Sequence, residues 1–259
     1  MHENSVEFEV WGDYALFSDP ITRVGGEKFS YQVPTYEALK GILHSIYWKP
    51  TIIWVIDKVR IMKPIQMETK GIRPIKYTSD KNDLSYYTYL KDVSYKVKAH
   101  FIWNENRPEL EPDRNENKHH NIAKRMISKG GRRDIFLGTR ECQGYVEPTV
   151  FNDGNGAYDS VNELDFGILY HGITYADEAY DEQTKGKMTV RLKHTVMKNG
   201  VIYFNNTDEI KKSGGKMLSE LCHVYGNCIQ RPLHKMQIKP FGKELDNIQF
   251  AKELEKEVE

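Results

Sequence analysis

Cysteine is scarce in this chain: three residues, Cys142, Cys222 and Cys228, among 259. So odd and sparse a set excludes a disulfide scaffold and fits a reducing cytoplasm. It also argues against structural zinc. Cys222 and Cys228, with His223 and His234 nearby, are not at knuckle spacing, and no second pair follows. No apolar run approaches the length that spans a bilayer, and the opening MHENSVEFEVWG has neither the basic segment nor the apolar stretch of a signal peptide. A soluble, cytoplasmic protein with no membrane partner is expected. Net charge is missing too, with 37 basic against 37 acidic residues, which excludes a simple cationic coat for nucleic acid. No acidic cluster shows metal-ligand spacing, so neither a metal nor another cofactor is expected.

What is present is an uneven distribution of charge. Asn117 to Tyr145 holds seven Lys/Arg against Asp134 and Glu141, whereas Asn152 to Gln183 holds eight Asp/Glu and no Lys or Arg. The first stretch makes a local positive surface that the average hides. Aromatic residues reach 12%, with tyrosine the commonest, and bases stack on such rings between basic side chains.

Periodicity places these features on elements. SVEFEVWG alternates, with Val6, Phe8 and Val10 on one face of a strand. PTYEALKGILHSIYWKP predicts a helix capped by Thr35, with Leu39, Ile42, Leu43 and Ile46 as its apolar stripe and Pro50 as its stop. TIIWVIDKVRIMK and DVSYKVKAHFIW are β-rich, and the tyrosine-rich YTSDKNDLSYYTYL before the second suits an exposed loop or hairpin. NKHHNIAKRMISKGG predicts a second helix, capped by Asn117, burying Ile122, Ala123, Met126 and Ile127, and ended by Gly130-Gly131. RRDIFLGTRECQGYVEP then reads as a fourth strand interrupted by glycines. The order β-α-β-β-α-β defines an α+β chain. An N-terminal ferredoxin-like, RRM-like domain is expected over residues 1–150. A smaller antiparallel β domain follows over 151–245, from DFGILYHGITYAD, KMTVRLKHTVMKNGVIYF and PLHKMQIKPF, with an acidic tail at 246–259. Asn199-Gly200 is the strongest hairpin-turn signal.

The stretch NENKHHNIAKRMISKGGRR puts Lys118, His119 and His120 in the first turn of that second helix. By residue type the turn fits either a solvated helix start or a place where the helix dipole welcomes phosphate. Lys129, Arg132, Arg133 and Arg140 are candidates to hold RNA phosphates, with His120 beside them. SKGGRRDIFLG is no P-loop, because it lacks the GKS/T ending and the preceding strand. His44, His100 and His194 sit within helix or strand patterns as structural residues, and Tyr47, four after Leu43, fits the core by spacing alone.

TYEALKGILHSIYWKPTI on the first helix and DRNENKHHNIAKRMISKGGRRDIFLGTRECQGYVEP across the second resemble the Dvulg, or subtype I-C, branch of the fifth Cas family. These are CRISPR-associated proteins of the RAMP superfamily, and the resemblance runs over essentially the whole chain. It implies an endoribonuclease that cuts precursor CRISPR RNA in its repeat hairpin and stays on the 5′ handle of the mature guide RNA, among the other subunits of the type I-C interference complex. It also implies a catalytic trio at Tyr47, Lys118 and His119. Metal-free cleavage to a 2′,3′-cyclic phosphate and a 5′-hydroxyl needs groups that move protons and one that stabilises the phosphorane. A histidine, a lysine and a tyrosine to orient the 2′-hydroxyl supply them. Other branches of the family bind the guide 5′ handle without cutting, which is the alternative. Helical geometry sets His119 at the edge of the core-facing side and His120 in a row with Lys124 toward solvent.

Overall fold

The computed structural model describes residues 4–20, 22, 26–74, 84–179, 186–204 and 228–235. In chain order it contains β1 (Val6–Ala15), β2 (Lys28–Phe29), α1 (Tyr36–Ile46), β3 (Ile52–Ile61), β4 (Met67–Ile72) and the long β5 (Ser85–Trp103). α2 (Glu116–Ser128) follows, then β6 (Ile135–Phe136), β7 (Gln143–Pro148), β8 (Glu163–Thr174), β9 (Lys187–Lys198), β10 (Val201–Tyr203) and β11 (Ile229–Lys235). The architecture is mixed α/β, dominated by antiparallel sheet.

β1 lies at the centre because its alternation serves two masters. Val6, Phe8 and Val10 are buried in the core, and its backbone pairs antiparallel with β5 on one side and β7 on the other. β3 pairs antiparallel with β5, so the central order is β3-β5-β1-β7, with α1 linking β1 to β3 and α2 linking β5 to β7. β10 carries the sheet on from β3 to β9 and β11, while β8 pairs with β9 and β4 with β5. Against the sheet α1 buries Tyr36, Leu39, Ile42, Leu43 and Ile46, each burial worth about 1.5–3 kcal/mol. Thr35 caps α1 as expected, its hydroxyl accepting from the Ala38 N–H at 3.2 Å. The buried cations of the central strands are matched by the segment after β7: Arg60 pairs with Asp159, and Lys96 donates to the carbonyls of Val150 and Asp153.

Several local expectations change. The cap of α2 is Asn115, whose side chain accepts from the Lys118 N–H at 3.0 Å; Asn117 lies inside the helix. The fully buried face of α2 is His119, Ala123 and Ile127, four residues apart, with Ile122 and Met126 only partly covered. The glycine-interrupted strand is a hairpin, β6 with β7, of which β7 alone reaches β1. Residues 85–90 of the expected tyrosine-rich loop open β5 and pair with β4; residues 75–83 lie outside the described ones. Asn199 and Gly200 make the expected turn with φ of 48° and 75°. Cys142 is a buried free thiol and Cys228 is buried, while Cys222, His223, the far half of PLHKMQIKPF and the acidic tail lie outside the described residues.

Candidate active site at the end of the first helix

α1 ends at Ile46, and Tyr47 leaves it in extended backbone, φ −156° and ψ 126°. Two hydrogen bonds fix that exit: the Tyr47 N–H donates to Leu43 at 2.8 Å, and the Trp54 indole donates to the Tyr47 carbonyl at 2.8 Å. The phenol thereby meets the first turn of α2, 2.7 Å from Nδ1 of His119. The His119 ring is fully buried among Tyr47, Phe101 and Trp103. Its Nε2 is 2.8 Å from the carbonyl oxygen of Asp113. A carbonyl only accepts, so Nε2 carries a proton; in the neutral ring Nδ1 is then the acceptor and Tyr47 the donor. Burial, with Asp113 nearby, holds the Tyr47 pKa above the usual phenol value against the opposing pull of Arg132.

Asp113 ties this pair to Lys118. It ends a short 3-10 turn, Pro108–Asp113, just before α2. Its carboxylate accepts from Lys118 Nζ at 2.5 Å and Thr51 Oγ1 at 2.7 Å, and it lies 3.5 Å from Nε2 of His119. The Lys118 hydrogen bond, helped by Thr51 and His119, lowers its pKa. The sequence reading missed this residue. The available signal was a carboxylate just ahead of a Lys-His turn, where it can meet both side chains. Lys118 remains about half exposed. The structure therefore brings Tyr47, Lys118 and His119 together around Asp113.

His120 departs from expectation. It is half-buried, not solvent-facing, and Nε2 is hydrogen-bonded to the Ser5 carbonyl at 3.0 Å, so it pins α2 to the start of β1. Arg132, Arg133 and Arg140 share an open cavity of about 630 Å³ with Asp134, Phe136 and Ser45, and Ser45 lies two residues before Tyr47 in the chain. The Arg133 N–H donates to the Ser45 carbonyl at 3.1 Å, which anchors the loop to α1. Lys129, by contrast, is the exposed C-cap of α2 and does not line that cavity. His100 is buried on Asp57 at 2.9 Å, and His194 meets Asp165 at 3.0 Å. Burial, aided by Lys40, lowers the His44 pKa to about 4. Among the described residues no group of three or more His, Cys, Asp or Glu could hold a metal ion.

A buried histidine on a tyrosine, a lysine at the rim and an arginine-lined groove form a compact set for phosphodiester chemistry. The family described as CRISPR-associated protein (Cas_Cas5), in its Cas5d form, matches residues 5–205. The chain belongs to this family. The CRISPR pre-crRNA endoribonuclease Cas5d of Mannheimia succiniciproducens is 35% identical over 199 residues, covering 66% of this chain and 86% of that protein. The protein of the same name from Thermus thermophilus is 28% identical over 183 residues, covering 67% and 75%. A crystal structure described as a CRISPR-associated protein has a TM-score of 0.65 at 38% identity, covering 79% of this chain and 93% of that one.

Proposed function

We propose that this protein is an endoribonuclease that cuts precursor CRISPR RNA in its repeat hairpin without a metal ion. It leaves a 2′,3′-cyclic phosphate and a 5′-hydroxyl, and stays on the guide 5′ handle within a type I-C interference complex. The observation that carries the reading is the 2.7 Å contact of Tyr47 with His119, with Lys118 in the next position and an arginine groove alongside. The curated relatives named above as pre-crRNA endoribonucleases support it. The ferredoxin-like reading of residues 1–150 is supported by the order β3-β5-β1-β7 with its two helical crossovers.

In this mechanism Tyr47 gives its own hydroxyl proton to Nδ1 of His119, which leaves a lone pair on the phenol oxygen for the substrate 2′-hydroxyl. As the 2′-oxygen attacks the phosphorus, its proton passes to Tyr47 and the tyrosine proton to His119. The imidazolium so formed keeps its Nε2–H on the Asp113 carbonyl, with the carboxylate 3.5 Å away. Lys118 exchanges Asp113 for the phosphorane, stabilises its charge and carries the proton that the departing 5′-oxygen requires. General acid–base help of this kind is worth about 10²–10⁴-fold.

Full burial of His119 favours one other reading, a guide-binding subunit that does not cut. Purified protein incubated with repeat RNA in EDTA separates the two. Cleavage that persists in chelator and stops when the scissile nucleotide is 2′-deoxy supports the proposal. RNA that is bound but cut neither in EDTA nor with magnesium selects the guide-binding reading, and cleavage only after magnesium is restored, or equal cutting of the deoxy substrate, refutes metal-free cleavage.

A further inference from the structure

Helix α1 carries Gly41 in its interior, where glycine weakens a helix. Neither backbone nor packing calls for it. Its φ is not positive, and a Cβ built there meets nothing within 4 Å. What the missing side chain leaves open is a cavity of about 500 Å³, walled by Ala38 and Ile42 of α1, Phe136 of β6 and Tyr170 of β8, with Glu37 and Lys28 at its polar end. That volume is within the roughly 300–1,000 Å³ of small-ligand sites. Phe136 also walls the arginine cavity, and Ser45, which lines the latter, lies one helical turn beyond Gly41 on the same helix. The two cavities are thus neighbouring compartments of one groove along α1. Near Tyr47 three arginines outnumber Asp134, with the Arg140 guanidinium 5.9 Å from the Phe136 ring centroid; past Phe136 the rings of Phe136 and Tyr170 and the side chains of Ala38 and Ile42 wall the recess, with Lys28 and Glu37 also on its lining.

Cations followed by an aromatic-walled recess match unpaired RNA, whose phosphates seek the first and whose unstacked bases seek the second. We propose that this groove holds the single-stranded nucleotides beside the scissile phosphate, with phosphates on Arg132, Arg133 and Arg140 and one base seated against Phe136 in the space beside Gly41. The proposal rests on the ribonuclease reading above.

The test uses the full chain and repeat RNA made non-cleavable by a 2′-deoxy scissile nucleotide, with abasic substitutions scanned along both flanks. Base stacking is worth about 1–3 kcal/mol, so one abasic position weakens wild-type binding by roughly 5-fold to 150-fold. Gly41→Trp, which fills the recess, weakens binding of intact RNA to a similar degree, and the same abasic position then costs nothing more. The Tm of Gly41→Trp is measured beside its affinity, and a value equal to or above that of wild type shows that the helix itself is not at fault. Wild-type affinity in Gly41→Trp, or abasic losses equal in variant and wild type at every position, overturns the groove. Parallel cleavage of all-ribose RNA keeps the two readings apart. Cutting with a negative groove result removes only the groove, and a positive groove result without cutting removes only the ribonuclease.

Discussion

Helix α1 carries a tyrosine–histidine pair near each end, and the two pairs live in opposite surroundings. Near its start Tyr36 stacks on His171 with ring centroids 4.4 Å apart; at its end Tyr47 hydrogen-bonds His119 at 2.7 Å. Both imidazoles are sealed from solvent, at 3% and 0% exposure. Around His171 the charges are matched and enclosed. Lys40 meets Glu178 at 2.5 Å, and buried Arg191 donates to His171 and Thr174 and lies 3.5 Å from Glu37. Burial, reinforced by Arg191, Lys193 and Lys40, holds the His171 pKa far below the imidazole range, so this ring stays neutral. Around His119 a single carboxylate, Asp113, serves a half-exposed lysine, and three arginines line an open groove with one aspartate, Asp134, among them. Burial of a histidine therefore does not separate structure from chemistry. The separating feature is cationic charge left over at a surface that substrate can reach.

Swapping one lysine from each end breaks the comparison most sharply. Lys118→Ala should slow single-turnover cleavage by about 10²-fold or more, while costing at most about 1 kcal/mol of stability because its ion pair is exposed. Lys40→Met should do the reverse. It leaves Glu178 beside a dry interior, a loss of about 3–5 kcal/mol in urea unfolding, with the cleavage rate of the remaining folded protein unchanged. Comparable rate losses in the two variants would erase the distinction.

The arginines come next. Replacing Arg132 and Arg133 together with alanine should weaken RNA binding and flatten its salt dependence by roughly one unit of slope per lost phosphate contact. Binding titrations at several salt concentrations measure it, and an unchanged slope would take the groove out of RNA binding.

Much of this arrangement was legible in the sequence, for physical reasons that also mark its limits. The stripes of α1 and β1 could be read because one period, 3.6 or 2, governs each whole element. The strands β2 and β6 run for two residues each, too short for any period, and the polar strand β4 has no fully buried face for a period to reveal. Lys118 and His119 stood out through their charge context. Tyr47 did not, because a tyrosine that packs into the core has the spacing of a core residue; only the family resemblance singled it out. The α1 charge cluster was invisible, since Lys40 finds Glu178 at a separation of 138 residues. His120 was read as solvent-facing because its partner, the Ser5 carbonyl just ahead of β1, lies 115 residues away in the sequence.

Two smaller effects sharpen the picture. His120→Ala should keep much of the cleavage rate, since its bond to Ser5 is a tether; a dead variant would move the chemistry to the wrong imidazole. Asp113→Asn tests the carboxylate at the centre. Its folded-state pKa lies below the ordinary 3.8, so its stabilisation is present above that value and is lost as the pH falls through the lowered one. Wild type should exceed the variant by no more than about 1 kcal/mol near pH 7, and the gap should close as the pH falls below the ordinary carboxylate value. Melting curves between these limits measure it, and a gap that widens in acid would reverse the sign.

The central claim is that Tyr47 and His119 move one proton as a unit. Its most direct measurement is single-turnover cleavage of repeat RNA by Tyr47→Phe, His119→Ala and the double variant at saturating protein. Groups that act as a unit are non-additive, so the double variant should be about as slow as the slower single variant. Losses that multiply, with the double variant slower by the product of the two single effects, would show that the hydroxyl and the imidazole work independently and would contradict the relay.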